Sequence, residues 1–317
     1  ISSLEIGGAQ RLLSDLLPLL KEKGENVSLL LYNKVDSDFE HIIRESGIEI
    51  ISLNVSNFYS PFIIFKLIKY FKQYNIIHAH LFPTVYWVAF AARLTFKPIV
   101  YTEHSTSNRR RGKAYWRLIE MFIYTSYKKI ISISPQTQSN LKSWLSAQSD
   151  DSRFIVIENG VNLDDYKNAS KLDEITGVPG KSKIVLMVSR FNKSKDQETV
   201  IRCIPLVEDK SVHFVFVGDG PNRSFCENLV VSLNIISRVH FLGVRSDIPQ
   251  LVARSYFGIQ SSNWEGFGLT SVEFMAGRKP IIASNVDGLK QVVESAGFLF
   301  EAGNEKELST LIDILLK

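Results

Sequence analysis

Two glutamates, Glu265 and Glu273, flank the join between a glycine-rich loop and a predicted helix, and their spacing suits a phosphorylated ligand. The loop follows the apolar run 256–259 and contains Gly266 and Gly268. A helix N-terminus offers unpaired N–H groups and the positive end of the helix dipole, so it attracts phosphate. Glu265 would then face one end of the ligand and Glu273, about one turn into the helix, the other. The alternative is an ordinary capped turn with Glu273 on a solvated helix face.

Other polar residues follow predicted buried strands, where ligands bind in parallel sheets. Arg190 and Lys195 come after strand 184–188. An arginine can grip phosphate with two hydrogen bonds, and a lysine adds a point charge. His104 follows strand 99–102 and suits general acid–base chemistry or hydrogen bonding. The alternatives are a solvated charged loop and a structural histidine.

Short apolar runs alternate with amphipathic helices, which is typical of α/β proteins with parallel, doubly wound sheets. The pattern is interrupted once, at residues 159–182, which are rich in Gly, Asp, Asn, Lys and Pro and predict a linker. We therefore predict two Rossmann-like domains, residues 1–158 and 183–317, facing a cleft. Because almost nothing precedes Gly7, we expect the first strand of the fold to be missing.

The composition describes an ordinary globular protein of 317 residues, with 45% apolar and 22% charged residues. Cys203 and Cys226 lack metal-like spacing and favour a reducing compartment over a disulfide framework. We expect a cytoplasmic protein, because no apolar run reaches the ~18 residues of a membrane span and no signal peptide is evident. Residues 1–157 carry a net charge of +6 and the remainder −2, which favours an anionic partner for the first half.

Nine short motifs, in order along nearly the whole chain, make the sequence resemble the retaining glycosyltransferases of family 4, which have the GT-B fold. The motifs are Gly7-Gly8-Ala9-Gln10-Arg11, His78-Ala79-His80, His104-Ser105, Ile133-Ser134, Asn159-Gly160-Val161-Asn162, Ser189-Arg190 with Lys195, Phe216-Val217-Gly218-Asp219-Gly220, Phe241-Leu242-Gly243, and the E-x7-E segment from Glu265 to Glu273.

The resemblance implies how a nucleotide-sugar donor, which we expect to be UDP-linked, is held. Arg190 and Lys195 would bind its diphosphate, and Gly8 would let backbone N–H groups approach the same group. Glu273 would bind the ribose hydroxyls, and the backbone at Val244 would meet the nucleobase.

The resemblance also implies contacts to the transferred sugar. Glu265 would contact its hydroxyls, and His104 would lie near it. The loop-to-helix amides around sugar and phosphate would come from Phe267, Gly268, Leu269 and Thr270.

The implied mechanism is same-face displacement with retention, in which the leaving diphosphate oxygen takes the acceptor proton. Arg190, Lys195 and the helix terminus would stabilise its developing charge. His104, Glu265 and these two cations form the predicted catalytic set, and no metal or other cofactor is expected.

The sequence Asp36-Ser37-Asp38 matches the D-x-D motif of metal-dependent GT-A enzymes, but its position favours a helix-capping turn.

The basic residues Arg109, Arg110 and Arg111, followed by aromatics such as Tyr115 and Trp116, suit an anionic membrane surface or a lipid-linked pyrophosphate acceptor. A solvated loop is the alternative, and no nucleic-acid motif is present. We predict a hexosyl- or N-acetylhexosaminyl-transferase that acts on a glycan or lipid-linked acceptor in cell-surface polysaccharide synthesis, peripheral on the inner face of a membrane. A GT-B-fold sugar-nucleotide epimerase and a non-catalytic sugar-nucleotide-binding module remain alternatives.

Two features depart from the family pattern. Arg278 stands where a glycine usually precedes the proline after the E-x7-E helix, so we expect that helix end to be shaped differently. The chain ends at Lys317, before the helix that usually crosses back to the first domain, so we expect a fragment of a longer enzyme.

Overall fold

The computed structural model describes residues 1–5, 7–106 and 110–317, and the chain divides into two units, residues 1–159 and 160–317. Every strand pair in the named sheets is parallel, and helices connect the strands. This confirms the predicted α/β fold with Rossmann-like sheets.

The first unit contains a two-stranded and a four-stranded sheet among its described residues, ordered β1-β2 and β3-β4-β5-β6. Its strands are β1 (Ser28–Leu31), β2 (Glu49–Ser52), β3 (Ile77–His80), β4 (Ile99–Glu103), β5 (Lys129–Ser132) and β6 (Phe154–Val156). Its helices are α1 (Gly8–Glu22), α2 (Asp38–Glu45), α3 (Ile63–Phe71), α4 (Thr84–Thr95), α5 (Ala114–Tyr124) and α6 (Pro135–Leu145).

The opening residues of the chain lie beside β1, in the position where we expected a strand to be missing. The N-terminal amine of Ile1 donates to the carbonyl oxygen of Leu30 (3.3 Å), and the N–H of Tyr32 donates to that of Ser2 (3.0 Å). Leu4 is fully buried. Residues 1–4 therefore lie alongside β1 and pair with it through strand-like backbone hydrogen bonds.

The second unit is built on one six-stranded sheet, ordered β12-β11-β10-β7-β8-β9. Its strands are β7 (Ile184–Val188), β8 (His213–Val217), β9 (Val239–Phe241), β10 (Phe257–Gln260), β11 (Ile281–Ser284) and β12 (Phe298–Phe300). Its helices are α7 (Leu163–Lys167), α8 (Gln197–Cys203), α9 (Arg223–Ser232), α10 (Ile248–Arg254), α11 (Leu269–Ala276), α12 (Lys290–Val293) and α13 (Glu305–Leu316), with 3₁₀ turns at Ile204–Leu206 and Ile236–Arg238.

The strand order of this sheet reverses between β7 and β10. The chain runs outward from β7 to β9 on one side, then returns to place β10 against the other side of β7, with Gly258 beside Leu186. Both strands are buried and, apart from Gln260 at the end of β10, apolar, as expected of strands covered on two faces. Loops that leave the carboxyl ends of such a strand pair form the usual ligand site of an open α/β sheet.

The segment 160–182, predicted as a linker, is grouped with the second unit by its contacts. It contains α7 and an antiparallel bridge between Ile175 and Val178. Tyr166, Ile175 and Val178 are buried in the same apolar cluster as Ile184 of β7.

Candidate active site

The loops that follow β7 and β10 are connected by hydrogen bonds at the carboxyl edge of the sheet. The hydroxyl of Ser261 donates to the carbonyl oxygens of Lys195 (3.0 Å) and Asp196 (2.8 Å). The N–H of Asn263 donates to the carbonyl oxygen of Ser194 (2.8 Å). The two loops therefore form one site although they are distant in sequence.

The carboxylate of Glu265 is at the centre of this site. Its Oε2 atom accepts from the Lys195 ammonium group in an ion pair, from the Gln260 amide (3.1 Å) and from the Ser262 hydroxyl (3.3 Å). Its Oε1 atom accepts from the N–H of Gly266 (3.1 Å). Charge-assisted hydrogen bonds fix the orientation of the carboxylate and engage its lone pairs. The arrangement favours a binding role for Glu265 over nucleophilic attack.

Helix α11 begins directly after this loop. Its N-cap is Gly268, which supplies no side chain to cap the first N–H groups of Leu269 and Thr270. The Thr270 hydroxyl donates weakly to the carbonyl oxygen of Val188 (3.4 Å), which ties the helix start to the end of β7. Phe267 is buried, and Glu273, one turn into the helix, is only 8% exposed. The alternative that placed Glu273 on a solvated helix face is therefore excluded. A helix start of this kind can bind an anion.

Arg190 is exposed at the same edge, on a loop that neighbouring groups hold in place. The amide of Gln197 donates to the hydroxyl of Ser189 (2.8 Å) and to the carbonyl oxygen of Arg190 (3.0 Å). Gly218 has a φ of +128°, and a Cβ there would come closer than 3.0 Å to the backbone of Ser189. The segment Gly218-Asp219-Gly220, part of one of the nine motifs, thus supports the loop that carries Arg190. No hydrogen bond or ion pair of the guanidinium is found among the described residues.

The remaining predicted donor contact in this unit, Val244, lies just beyond β9 and is 47% exposed. The carbonyl oxygen of Gly243 accepts from the N–H of Gly218 (2.7 Å), which joins the loop after β9 to the loop after β8.

In the first unit, Gly8 is the first residue of α1, and a Cβ at this position would meet nothing within 4 Å. The helix start is therefore open to an approaching group. The proposed roles of Gly8 and Val244 stay predictions.

His104 lies in a cluster with two other histidines. Its Nε2 atom is 3.0 Å from Nδ1 of His80, and the rings of His78 and His80 are 4.2 Å apart. Burial lowers the pKa of His104 to about 4 and that of His80 well below its ordinary value, because desolvation disfavours the charged imidazolium. Near neutral pH His104 is therefore uncharged, which suits hydrogen bonding better than general acid catalysis.

The predicted basic patch at residues 109–111 is corrected by the structure. Arg110 forms an ion pair with the buried Glu120 (2.7 Å), and Arg111 forms one with the buried Glu103 (3.1 Å). The two guanidinium groups are 15% and 10% exposed, so buried carboxylates neutralise the charges that were expected to face an acceptor or membrane. Arg109 lies outside the described residues.

The Asp36-Ser37-Asp38 segment is a helix cap, as predicted. Ser37 is the N-cap of α2 and accepts from the N–H of Glu40 (3.3 Å). Among residues 1–5, 7–106 and 110–317, no group of three or more His, Cys, Asp or Glu side chains is placed to hold a metal ion.

Sequence reasoning missed three residues that shape the loop between β10 and α11, which carries Glu265 and is called the Glu265 loop. Gln260 and Ser262 bind its carboxylate, and the backbone of Gly288, with a φ of +87°, packs against the carbonyl group of Glu265. The available sequence signal for Gln260 was a glutamine directly after the apolar run 256–259. Nothing in the sequence indicated that Gly288 lies near Glu265.

The parallel, Rossmann-like sheets of the two units fit the GT-B fold of glycosyltransferases. Two family models together match nearly the whole chain: "Glycosyltransferase Family 4" matches residues 6–165, and "Glycosyl transferases group 1" matches residues 168–317. The chain belongs to this family of glycosyltransferases, which confirms the resemblance inferred from its motifs.

Curated relatives are similar over much of the chain. The UDP-Gal:alpha-D-GlcNAc-diphosphoundecaprenol alpha-1,3-galactosyltransferase of Escherichia coli is 27% identical over 270 residues, 80% of this chain and 68% of that protein. An uncharacterized glycosyltransferase of Methanocaldococcus jannaschii is 29% identical over 237 residues, 70% of this chain. The chain covers 60% of this second relative, less than two thirds of its length.

Solved structures share the fold. The Anabaena protein HepE, crystallised with UDP and glucose, is 22% identical with a TM-score of 0.84, and the match covers 100% of this chain and 88% of HepE. WaaG, a glycosyltransferase involved in lipopolysaccharide biosynthesis, is 14% identical with a TM-score of 0.71, and the match covers 100% of this chain and 89% of WaaG.

Proposed function

We propose that the protein is a retaining glycosyltransferase that moves a hexosyl or N-acetylhexosaminyl group from a UDP-linked donor to a glycan or lipid-linked acceptor in cell-surface polysaccharide synthesis. The observation that carries the proposal is the Lys195–Glu265 ion pair beside the open N-terminus of α11. A cation, the first N–H groups of a helix that has no side-chain cap, and an oriented carboxylate there match the diphosphate and the sugar hydroxyls of such a donor.

The activities for which similar proteins are named support this donor and acceptor. The Escherichia coli relative uses UDP-Gal and a diphosphoundecaprenol-linked sugar, and HepE was crystallised with UDP. A Campylobacter jejuni relative, 32% identical over 139 residues, also acts on a diphospho-undecaprenol acceptor. Because such an acceptor is embedded in a membrane, we propose that the protein acts at the membrane's inner face.

In the proposed reaction the bond between the anomeric carbon and the diphosphate oxygen breaks, and the acceptor oxygen bonds to the same face of that carbon. The acceptor proton passes to the leaving diphosphate oxygen. Lys195, Arg190 and the N–H groups at the start of α11 stabilise the charge that develops there. Glu265 and Glu273 bind sugar and ribose hydroxyls, and the reaction needs no metal.

The test supplies the purified protein with UDP-glucose, UDP-galactose or UDP-N-acetylglucosamine and a lipid-linked sugar acceptor. Transfer should persist in EDTA, and NMR of the first product should show the anomeric configuration of the donor. An inverted product would refute retention. Epimerisation of the donor in the absence of acceptor would refute the proposal that the protein is a transferase. Tight nucleotide binding without transfer to any acceptor would also refute it.

A further inference from the structure

Helix α5 exposes an apolar stripe and buries its carboxylate, the reverse of an ordinary surface helix. Tyr115, Leu118, Ile119 and Phe122 follow the i, i+3, i+4, i+7 spacing and are 56, 70, 41 and 55% exposed. Glu120, the acidic residue of the helix, is 1% exposed. A stripe with this spacing normally faces a core. Exposed apolar patches of this kind mark interaction surfaces.

Helix α3 presents a second exposed stripe of mixed character. Phe62 and Phe65 are 72% and 69% exposed, and Lys69 and Lys72, also exposed, continue the same spacing. The opposite side of the helix is buried through Ile63, Leu67 and Phe71. The exposed side therefore changes from aromatic to basic along its length.

The two stripes belong to one layer of helices, because α4 packs against both α3 and α5. Arg93 of α4 donates to the carbonyl oxygen of Phe122 (2.8 Å), and its guanidinium lies 3.6 Å from the centre of the Phe122 ring. We call the exposed side chains of Phe62, Phe65, Lys69, Lys72, Leu118 and Phe122 the aromatic–basic face.

The segment that carries this face is poor in carboxylates. Residues 50–149 contain 13 lysines and arginines but only two acidic residues, Glu103 and Glu120. Both are buried and paired with Arg111 and Arg110. The other 217 residues hold 31 acidic residues, so the scarcity is local. The surface of this 100-residue segment is therefore positive and apolar, with no exposed carboxylate.

We propose that the aromatic–basic face docks on an anionic lipid bilayer. The aromatic and aliphatic side chains would enter the interfacial region, while Lys69 and Lys72 would contact lipid phosphates. A nucleic acid would leave the apolar stripe of α5 uncovered, since Leu118 and Phe122 offer it no hydrogen bonds. The contact is peripheral: no helix in the described part of the chain is long and apolar enough to cross a bilayer.

The test is flotation of the purified protein with vesicles, without nucleotide sugar or acceptor, so its outcome is independent of the proposed reaction. One set of vesicles is phosphatidylcholine alone, and the other is phosphatidylcholine and phosphatidylglycerol in equal parts. The protein should float with the anionic vesicles and remain unbound with the neutral ones. High salt should weaken the binding.

Two double variants test the two halves of the face. Lys69→Glu with Lys72→Glu should lower the partition coefficient at least about tenfold, because each basic residue contributes through the anionic surface. Phe65→Ser with Leu118→Ser, one change on each helix, should lower it by about tenfold through lost apolar insertion. All four side chains are exposed, so thermal unfolding should change little.

The matched control is Lys181→Glu with Lys306→Glu, which makes the same charge change at exposed positions of the second unit. This variant should float like the wild type. Equal loss in the control would overturn the proposal, as would failure to bind anionic vesicles. A wild type that formed a dimer in solution and bound no vesicles would point to another occupant. If Phe65→Ser with Leu118→Ser then dissociated that dimer, the face would be assigned to a second copy of the chain. Binding to polynucleotide but not to vesicles would also overturn it.

Discussion

The ammonium group of Lys195 and the carboxylate of Glu265 form an ion pair although 70 residues separate them in the sequence. They meet because β7 and β10 are adjacent, so the loops that follow the two strands leave the sheet side by side. The side chains are 22% and 18% exposed, so a ligand can still reach them. A diphosphate would compete with Glu265 for the lysine.

Lys195→Ala should therefore reduce kcat for sugar transfer by about 10²- to 10³-fold, since one preorganised group that stabilises developing charge is removed. Glu265→Ala should have a similar effect through the sugar. Steady-state transfer rates measure both. Lys193→Ala, an exposed neighbour in the same loop, is the control and should leave the rate unchanged. Normal transfer by Lys195→Ala would contradict the site assignment.

Gly288→Ala should destabilise the second unit and deform the Glu265 loop. Its φ is +87°, and a Cβ would come closer than 3.0 Å to the backbone of Glu265. We expect a loss of about 2–3 kcal/mol in the free energy of unfolding, measured by urea denaturation. Gly303→Ala is the matched control, since its φ is +80° but its Cβ would meet open space. It should cost only about 1 kcal/mol. Equal costs would show that the contact with Glu265 is unimportant.

Arg278→Gly should stabilise the protein. Arg278 follows α11 with a φ of +55°, and its N–H donates to the carbonyl oxygen of Met275 (2.9 Å), while that of Lys279 donates to Phe274 (2.9 Å). The helix thus ends in the left-handed conformation that glycine adopts readily, contrary to our expectation of a different shape. We expect a gain of about 1 kcal/mol, offset in part by unfolded-state entropy. A lower thermal midpoint would argue against it.

Stability should fall as the pH drops from about 6.5 towards 4. His80 and His104 have pKa values below the ordinary 6.5 in the folded state, to about 4 for His104. The unfolded chain therefore binds more protons in this window, and stability falls by up to about 1.4 kcal/mol per pH unit for each proton taken up. Urea midpoints at several pH values measure the slope.

His80→Gln should flatten that slope, whatever its effect on stability at neutral pH. Comparing slopes separates the titration of the histidine from any loss of packing. An unchanged slope would mean that His80 is protonated in the folded state.

The sequence by itself determined the alternation of strands and helices, because apolar periodicity reflects which faces are buried. It also determined the family, since its motifs lie at strand ends and helix starts. Arg190, Lys195, Glu265 and Glu273 could be proposed as site residues this way, because loop glycines and charges after buried strands are local signals. The cap at Ser37 is equally local.

Only the tertiary structure decided which charges pair and which remain available. The sequence predicted that Arg110 and Arg111 form an exposed basic patch. In the structure Glu120 of helix α5 neutralises Arg110, and Glu103 of strand β4 neutralises Arg111. The sequence does not determine whether the apolar stripe of α5 faces the core or the solvent, because periodicity shows only that the apolar residues share one side of the helix. Gly288 and Gln260 join the Glu265 site through contacts between separate elements. Such contacts depend on strand order, which no local pattern encodes.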